Sequence, residues 1–250
     1  MTQNEGETVP PELSVVVPVH NELENIRSLV AEICRALDTV VTFEIIFVDD
    51  GSSDGSHQLL KEITVELSNF HPLRHVDCCG QSAAIHTGVA AAEAPLIATL
   101  DGDGQNDPAD VPNLLAVYKS NAGESGRLMV AGWRAKRQDS SVKRLSSRIA
   151  NYIRSCMLGD ATPDTGCGLK IFRREDFLAF PSFNHMHRFL PALMLRSGGR
   201  VTSEQVSHRP RERGNSKYGT WDRLWVGISD IFGVMWLKRR RITPQVEKIQ

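Results

Sequence analysis

The stretch LSVVVPV at residues 13–19 is a nearly unbroken run of β-branched residues, which is the pattern of a strand buried on both faces of a sheet. Comparable runs follow as FEIIFVDD at 43–50, LRHVD at 73–77 and PLIATLD at 95–101. Amphipathic or small-residue helical patterns separate the four runs. This alternation predicts an α/β fold with an open, doubly wound and mainly parallel sheet.

Beyond residue 112 the alternation is looser, with candidate strands at 128–134 and 167–172 and a basic helix at 141–157. No internal repeat or Gly/Ser-rich linker interrupts the sequence, so we expect one domain rather than two. The prediction divides the chain into four segments: a disordered leader (1–12), the domain (13–220), an amphipathic helix that is a candidate for a membrane interface (221–241) and a tail (242–250).

The composition is that of an ordinary globular protein, with 41% hydrophobic and 24% charged residues among 250. It argues against a disordered, collagen-like or disulfide-stapled chain. The formal net charge of −1 hides an asymmetry, because residues 1–112 hold 4 Lys+Arg against 19 Asp+Glu and residues 113–250 hold 25 against 11. The first part is therefore expected to handle a cation such as a metal, and the second to meet phosphates or an acidic membrane surface.

The sequence carries no recognisable signal for export or membrane insertion. Its five cysteines form no CxxC pair, and its first residues lack an apolar signal core. Its longest apolar stretch, 224–237, is shorter than the ~20 residues that a spanning helix needs. We therefore expect a cytoplasmic protein that does not cross a bilayer unaided.

Polar residues follow three of the predicted strands, in VPVHNE (17–22), VDDGSSDG (48–55) and LDGDGQNDP (100–108). Ligands of open α/β sheets bind outside the carboxyl ends of the strands, so these segments are expected to converge on one site. Within them, Asn21 is expected to cap the first helix, and the second helix is expected to be capped by Ser52, Ser53 or Asp54.

Asp101 and Asp103 lie two residues apart in a Gly-assisted turn, which can direct both carboxylates at one divalent cation that also holds a diphosphate. A plain Asp/Gly turn is the competing interpretation. An EF-hand calcium loop is excluded because Asn106 and Pro112 occupy the positions where it needs Gly and Glu.

The other two strand ends carry candidate nucleotide contacts. Asp50 is placed to accept hydrogen bonds from a nucleobase or a ribose. Glu22 is a second candidate, although a carboxylate beside a helix N-terminus is favourable without any ligand. Pro18 is expected to fix the turn in VPVHNE that precedes Glu22.

In this order, VPVHNE, VDDGSSDG, GQSAAIHTGVAAA and DGDGQNDP resemble the nucleotide-sugar domain of the family 2 glycosyltransferases, which have the Rossmann-like GT-A fold. The likeness covers about residues 13–220 and is strongest to the dolichol-phosphate mannose synthase branch, including its bacterial polyprenyl-phosphate relatives. His20 stands where relatives usually have Tyr. The resemblance implies nucleotide-sugar contacts at Pro18, His20, Glu22, Asp50, Asp101, Gly102, Asp103 and Gln105. It also implies Mg²⁺ or Mn²⁺ near Asp101, Asp103 and Gln105.

A basic segment, WRAKRQDSSVKRLSSRIANYIR at 133–154, holds seven Lys/Arg against one Asp. Arg144, Ser147 and Arg148 are helical neighbours and form a candidate anion cradle, although a solvated basic face is the ordinary alternative. In the branch that this chain resembles, the matching segment binds the lipid phosphate. The resemblance adds Arg134 as a contact for the acceptor and for the nucleotide sugar.

Two later segments supply further cations. DTGCGLK at 164–170 resembles the segment near the donor sugar, so Asp164 and Lys170 are candidate contacts. The alternative for Lys170 is an exposed strand residue. RERGNSKYG at 211–219 is typical of a flexible loop whose Arg211 and Lys217 can close on the diphosphate as it gains charge. We expect the catalytic residues to be Asp103, Arg211 and Lys217.

The final helix has apolar residues at spacings of three and four, followed by KRRR at 238–241. The pattern predicts one broad apolar face. Such a face either packs on the core or lies in a membrane interface, where the basic cluster meets anionic lipid. The apolar residues are Trp221, Leu224, Trp225, Ile228, Ile231, Phe232, Met235 and Trp236.

The resemblance implies an inverting transfer of a sugar from a nucleotide diphosphate to a polyprenyl or dolichyl monophosphate. A phosphate monoester is already anionic at neutral pH and needs no general base, and FNHMHRFLPAL (183–193) holds no carboxylate. GDP-mannose is the first choice of donor, and UDP-glucose or UDP-linked amino or uronic sugars are the alternatives. The expected partners are these two substrates and the membrane surface, which the protein would meet peripherally, on the cytoplasmic face, through residues 221–241. Nucleic acid is not expected, and a membrane-protein partner is left open.

Two other classes of protein share part of this pattern. A receiver-type phosphoacceptor domain also combines a doubly wound sheet, an acidic pair and Mg²⁺, but it places the pair after the first strand. A sugar-nucleotide nucleotidyltransferase needs a Gly-rich signature directly after the first strand, which VPVHNELEN lacks.

Overall fold

A computed structural model describes residues 9–123, 126–134, 154–155, 157–160, 162–210 and 220–242 of the chain. Within the last range, the side chains of 220–226 and 228 are not part of the description. The basic helix expected at 141–157 therefore lies largely outside the described residues.

The described residues form one seven-stranded sheet. Its strand order is β3-β2-β1-β4-β6-β5-β7, and β6 runs antiparallel to both of its neighbours while the other pairs are parallel. The strands are β1 (Leu13–Val19), β2 (Phe43–Asp50), β3 (Phe70–His75), β4 (Leu96–Thr99), β5 (Leu128–Trp133), β6 (Lys170–Arg173) and β7 (Arg200–Gln205).

Helices cover both faces of this sheet. They are α1 (Leu23–Leu37), α2 (Ser56–Glu66), α3 (Gln81–Ala91), α4 (Val111–Asn121), α5 (Arg174–Leu178), α6 (Leu190–Arg196) and α7 (Thr220–Arg239). Short 3₁₀ turns occur at Pro108–Asp110 and Met186–Arg188.

Alternate residues of β1 point into two separate cores. Val15 and Val17 pack with the apolar faces of α1, α2 and α4, whereas Val16 packs with α3, α5 and α6. A strand with both faces covered needs apolar residues at every position, which explains the run LSVVVPV. The predicted doubly wound, mainly parallel α/β fold is confirmed.

The structure differs from the sequence prediction at the edges of the sheet. β3 begins at Phe70, three residues before the predicted start, and β7 was not predicted at all. Each of these strands pairs with one neighbour and is largely half-exposed, so polar residues are tolerated and the hydrophobic pattern is weak. Helix α4, which follows the acidic turn, was likewise not predicted.

In the part of α7 whose side chains the structure describes, the apolar residues do not all lie on one face. Val234 is buried, and with Ile231 and Met235 it packs against a small cluster that includes Phe189. Phe232 and Trp236 point the other way, and each is 59% exposed. We call the exposed stripe of Phe232, Gly233, Trp236 and Arg240 the outer face of α7. Among the described residues, no helix is long and apolar enough to cross a membrane.

Candidate active site

A cleft of about 380 Å³ opens at the carboxyl ends of β1, β2 and β4, where the sequence predicts a ligand. Its lining includes eight of the predicted contacts, namely Pro18, His20, Glu22, Asp50, Asp101, Gly102, Asp103 and Lys170. Two predicted contacts that the structure describes, Gln105 and Arg134, are not among the lining residues.

The loops that follow β1 and β2 are hydrogen-bonded to each other. The backbone N–H of Asn21 donates to Ser52 Oγ at 2.8 Å, and Asn21 Oδ1 accepts the N–H of Ser53 at 2.7 Å. Asp54 Oδ2 accepts the N–H of Leu23, the first residue of α1, at 3.0 Å. The predicted cap of α1 is wrong, because Asn21 bridges the two loops and the structure places Glu22 at the N-cap of α1. At α2 the N-cap position is Gly55, but the side chain of Asp54, one of the three predicted capping residues, accepts the N–H of Ser56 at 3.0 Å.

Asp50 is held by its own protein neighbours. Oδ1 accepts from His75 Nδ1 at 2.7 Å and from the N–H of Cys79 at 2.8 Å, while Oδ2 accepts from Cys78 Sγ at 3.2 Å and the N–H of Gly80 at 2.7 Å. Burial alone would raise the pKa of Asp50, but these hydrogen bonds, that from His75 foremost, lower it below the ordinary value.

The four donors fill the acceptor positions of the Asp50 carboxylate. The predicted contact of Asp50 with a nucleobase stays a prediction. It requires one of these four donors to give up its hydrogen bond to the carboxylate. Asp50, His75 and Cys79 are also close enough together to suggest a metal site. However, the 2.7 Å contact between Asp50 and His75 holds a proton, and His75 Nε2 is engaged by Thr87 Oγ1 at 2.9 Å.

The acidic pair, Asp101 and Asp103, follows β4 and lines the same cleft. Asp101 Oδ1 accepts from Gln81 Nε2 at 2.9 Å, and Asp103 Oδ1 accepts the N–H of Gln105 at 3.1 Å. Burial and the charge of Asp103 raise the pKa of Asp101 to about 6. Gln105 contributes its backbone here, so its predicted role as a side-chain ligand stays a prediction.

The acidic pair fits a divalent cation. The pKa of Asp101 is raised because burial and, after it, repulsion from Asp103 outweigh the effect of the cationic groups around it. A cation between the two carboxylates would supply the missing charge, and carboxylate oxygen is the donor that Mg²⁺ and Mn²⁺ prefer.

Gly168 lies directly against the acidic pair. A Cβ at this position would lie 2.3–2.4 Å from the carboxylate atoms of Asp101, which is far inside van der Waals contact. Only glycine therefore allows the segment before β6 to pass beside Asp101 without displacing it.

Lys170 enters the cleft from the first position of β6. Its side chain is buried rather than exposed, which excludes the exposed-strand interpretation, and its ammonium donates to the carbonyl of Cys167. Burial lowers the pKa of Lys170, and nearby Asp101 opposes this shift. The Lys170 side chain thus lies buried in the lining of the cleft, near Asp101.

Arg134 makes an ion pair behind the cleft. Its Nε and Nη2 donate to the two oxygens of Asp164 at 2.6 and 2.9 Å, and the two side chains are only 10% and 7% exposed. Both predicted ligand contacts of Arg134, to the nucleotide sugar and to the lipid phosphate, stay predictions. The contact that the structure describes is with Asp164.

His187 and Arg188 line the cleft and were missed by the sequence prediction. The segment that holds them, 183–193, attracted attention only for its lack of a carboxylate. His187 meets Ser82 across 105 residues of chain, with 2.7 Å between Nδ1 and the hydroxyl oxygen. No local sequence pattern predicts such a contact.

Five predicted residues lie outside the described residues: Arg144, Ser147, Arg148, Arg211 and Lys217. The chain just before the 211–219 segment is firmly attached near Asp103. The N–H of Arg209 donates to the carbonyl of Gln105 at 3.1 Å, and its guanidinium bonds Glu32 and Asp107, each at 2.6 Å. Arg209 is thus a further anchoring residue that the sequence prediction missed.

Solved structures of similar fold define the class. Glucosyl-3-phosphoglycerate synthase from Mycobacterium tuberculosis, in complex with UDP, superposes with a TM-score of 0.65 and 20% identity, covering 91% of this chain and 80% of that chain. A mannosyltransferase from Pyrobaculum calidifontis, in complex with GDP-Man and Mn²⁺, gives a TM-score of 0.64 and 18% identity, covering 95% and 66%. Likeness at this identity concerns the fold, and the fold is GT-A.

Residues 14–179 match the profile of glycosyl transferase family 2. The chain belongs to this family, as the ordered motifs predict, and the assignment is incompatible with the receiver and nucleotidyltransferase alternatives. It is 34% identical over 93% of its length to a dodecaprenyl-phosphate galacturonate synthase of Rhizobium johnstonii. It is 35% identical over 82% of its length to an undecaprenyl-phosphate 4-deoxy-4-formamido-L-arabinose transferase of Yersinia pestis. The chain spans 69% of the first relative's length and 62% of the second's.

Proposed function

We propose that this chain transfers a uronic or amino sugar from a UDP-linked donor to a polyprenyl monophosphate, with inversion at the anomeric carbon. The observation that carries the proposal is the 34% identity, over 93% of the chain, to a protein named for a polyprenyl-phosphate uronic sugar. The amino-sugar transferase from Yersinia supports the same acceptor class. GDP-mannose, the first choice from sequence, has weaker support, because the likeness to a mannosyltransferase is one of fold.

In this proposal the donor diphosphate binds beside the acidic pair. Asp101 and Asp103 would hold Mg²⁺ or Mn²⁺, with Gln105 as the third predicted ligand, and the metal would offset the charge of the departing diphosphate. Arg211 and Lys217 are assigned the same task from the far side of the diphosphate. The attachment of Arg209 beside Asp103 supports this role, since residue 211 follows only two positions later.

The acceptor phosphate needs no general base, because a phosphate monoester, with a second pKa near 6, is already largely dianionic at neutral pH. The cleft wall formed by Lys170, His187 and Arg188 offers donors and positive charge but no carboxylate. We assign the remaining acceptor contacts to the predicted lipid-phosphate residues Arg134, Arg144, Ser147 and Arg148.

A lipid acceptor requires the enzyme to work at a membrane surface, and the outer face of α7 supports this. Phe232 and Trp236 expose their rings one helical turn apart, and the guanidinium of Arg240 lies 5.9 Å from the ring centre of Trp236. Basic residues near an anionic surface contribute about 1 kcal/mol each. We propose that the protein binds peripherally, on the cytoplasmic face of the membrane, through this stripe.

The direct test is a panel of donors offered with undecaprenyl phosphate and Mn²⁺, followed by mass spectrometry of the lipid product. UDP-galacturonate, a UDP-linked amino sugar, UDP-glucose and GDP-mannose form the panel, and EDTA-treated enzyme is the control. We expect a product from a uronic or amino donor. Product from GDP-mannose alone would overturn the sugar assignment, and sugar transfer to water-soluble acceptors alone would overturn the lipid assignment.

A further inference from the structure

The two sides of the cleft carry opposite chemistry. Glu22, Asp50, Asp101 and Asp103 line the side formed by residues 18–103. Among the described residues, the side formed by 165–190 contributes no carboxylate to the lining, but it contributes Lys170, His187 and Arg188. A ligand group that lies against this second side is therefore expected to be anionic.

His187 is fixed by Ser82 at the start of α3. The Ser82 hydroxyl oxygen accepts the backbone N–H of His187 at 3.2 Å and lies 2.7 Å from its Nδ1. Ser82 is buried, and among the described residues Nδ1 is the acceptor that its hydroxyl hydrogen reaches. The hydroxyl therefore donates to Nδ1.

This contact decides where the ring proton is. Burial, together with the charges of Arg188 and Lys170, lowers the pKa of His187 to about 3, so the ring is neutral near pH 7. A neutral ring that accepts at Nδ1 carries its proton on Nε2. Nε2 makes no hydrogen bond within the part of the chain that the structure describes, and the ring lines the cleft.

The turn that carries His187 is also constrained. His185 has a left-handed φ of 64°, which is uncommon for a residue other than glycine, and Met186 is buried in the core beneath it. Such conformations persist only where the surrounding contacts hold the backbone in place, and they are concentrated at functional sites. The imidazole is thus held in place before any ligand arrives.

We propose that His187 is a specificity-determining residue, whose Nε2–H donates a hydrogen bond to an anionic oxygen of the bound reactants, beside Lys170 and Arg188. The oxygen belongs either to the sugar carboxylate of a uronic donor or to the acceptor phosphate. This inference rests on the proposed function for the identity of the two reactants. The placement of the imidazole rests on the geometry alone.

The test compares His187→Leu, which removes the donor, with His187→Gln, whose side-chain amide keeps an N–H at similar reach. The exposed His71→Leu is the matched control. Initial rates are measured with undecaprenyl phosphate and either UDP-galacturonate or UDP-galactose, which differ in the sugar carboxylate. We expect His187→Leu to lose about 10- to 100-fold in kcat/KM, as for a hydrogen bond to a charged group, and His187→Gln to retain most of the rate.

The two donors distinguish the two sources of the anion. A loss confined to UDP-galacturonate assigns the sugar carboxylate, whereas an equal loss with both donors and a raised KM for undecaprenyl phosphate assigns the acceptor phosphate. Unchanged kinetics in His187→Leu would overturn the proposal. Equal losses in His187→Leu and His187→Gln would overturn it too, because they indicate a purely structural role.

A measurement without turnover separates this inference from the proposed function. Nitrogen-15 NMR of the imidazole is recorded for the wild-type chain and for Ser82→Ala, alone and with UDP-galacturonate or undecaprenyl phosphate in detergent micelles. We expect the Nε2–H tautomer, its loss in Ser82→Ala, and a shift of Nε2 when one of the two anions binds. An Nδ1–H tautomer, or no response to either anion, would refute the role of His187. Absence of lipid product in the donor panel, with these NMR responses intact, would refute only the proposed acceptor.

Discussion

The cleft and the outer face of α7 differ in how their side chains are held. In the cleft, Asp50 accepts four hydrogen bonds and Asp101 is bonded by Gln81 and packed against Gly168. On the outer face, Phe232 and Trp236 are more than half exposed. The cleft fixes the positions of a few charged atoms, whereas the outer face of α7 presents exposed apolar surface.

This difference has an energetic meaning. Stabilising charge in a transition state depends on the placement of donors within a fraction of an ångström, so a single displaced group is costly. Partition to a membrane depends on buried apolar area and on the number of nearby cations, so the contributions are graded. Substitutions in the two regions should accordingly differ in size and in kind.

The largest effect is expected for Asp103→Ala. Removing one carboxylate from the acidic pair should lower metal-dependent turnover by about 10³-fold, in the upper range for the loss of one electrostatic group. Thermal unfolding should be unchanged within a few degrees, because Asp103 bonds only the N–H of Gln105 in the described residues. Steady-state rates across a Mn²⁺ titration check this, with the exposed Asp38→Asn as control. Wild-type activity of the Asp103→Ala enzyme would contradict the proposal that Asp103 holds the metal ion.

Next in size is Arg134→Ala, which removes the buried ion pair between Arg134 and Asp164. We expect the free energy of unfolding to fall by about 3–5 kcal/mol, as when one member of a buried pair is removed. Urea unfolding of this variant and of the double variant Arg134→Met/Asp164→Leu provides the measurement, and the double variant should recover most of the loss. Wild-type stability of Arg134→Ala would contradict the stabilising role of the ion pair, whereas a raised KM for the lipid would support the proposed acceptor contact of Arg134.

A smaller loss is expected for Gly168→Ala. The added Cβ would overlap the Asp101 carboxylate and push it from its place, so turnover should fall about 10- to 100-fold, in line with small displacements of catalytic groups. Gly123→Ala is the matched control, because its added Cβ would meet no atom within 4 Å. Equal rates in the two variants would mean that the position of Asp101 is unimportant.

The smallest effect concerns the outer face of α7. Phe232→Ser/Trp236→Ser should weaken binding to anionic liposomes about tenfold and leave turnover on a short, soluble prenyl phosphate unchanged, since both rings are exposed. Liposome flotation checks this, with Val40→Ser/Val65→Ser as a control pair of exposed apolar residues outside α7. Identical flotation of both double variants would place the membrane contact elsewhere.

The sequence predicted the centre of the sheet better than its edges. β1 and β2 are buried on both faces, so their continuous hydrophobic runs indicate strands clearly. Both were predicted with the correct bounds. β7 is an edge strand with the sequence RVTSEQ, and only its pairing with β5 makes it a strand. Such pairing is a tertiary contact and leaves little trace in local periodicity.

The same limit applies to the cleft. Residues that directly follow strands, such as Asp50 and Asp101, were found because the fold type fixes where strand ends meet. His187 was not found, since its partner Ser82 lies in a different element and the geometry that joins them is non-local. Likewise, nothing in the sequence around Arg134 or Asp164 indicates that the two form a pair.

The bridge between the first two loops has a consequence for hydrogen exchange. The N–H groups of Asn21, Leu23 and Ser53 each bond a partner on the other loop, so neither loop can open to solvent alone. The three amides should therefore exchange as one cooperative unit, although they are separated by the whole of α1 and β2. A ligand that rests on either loop would slow the exchange of all three.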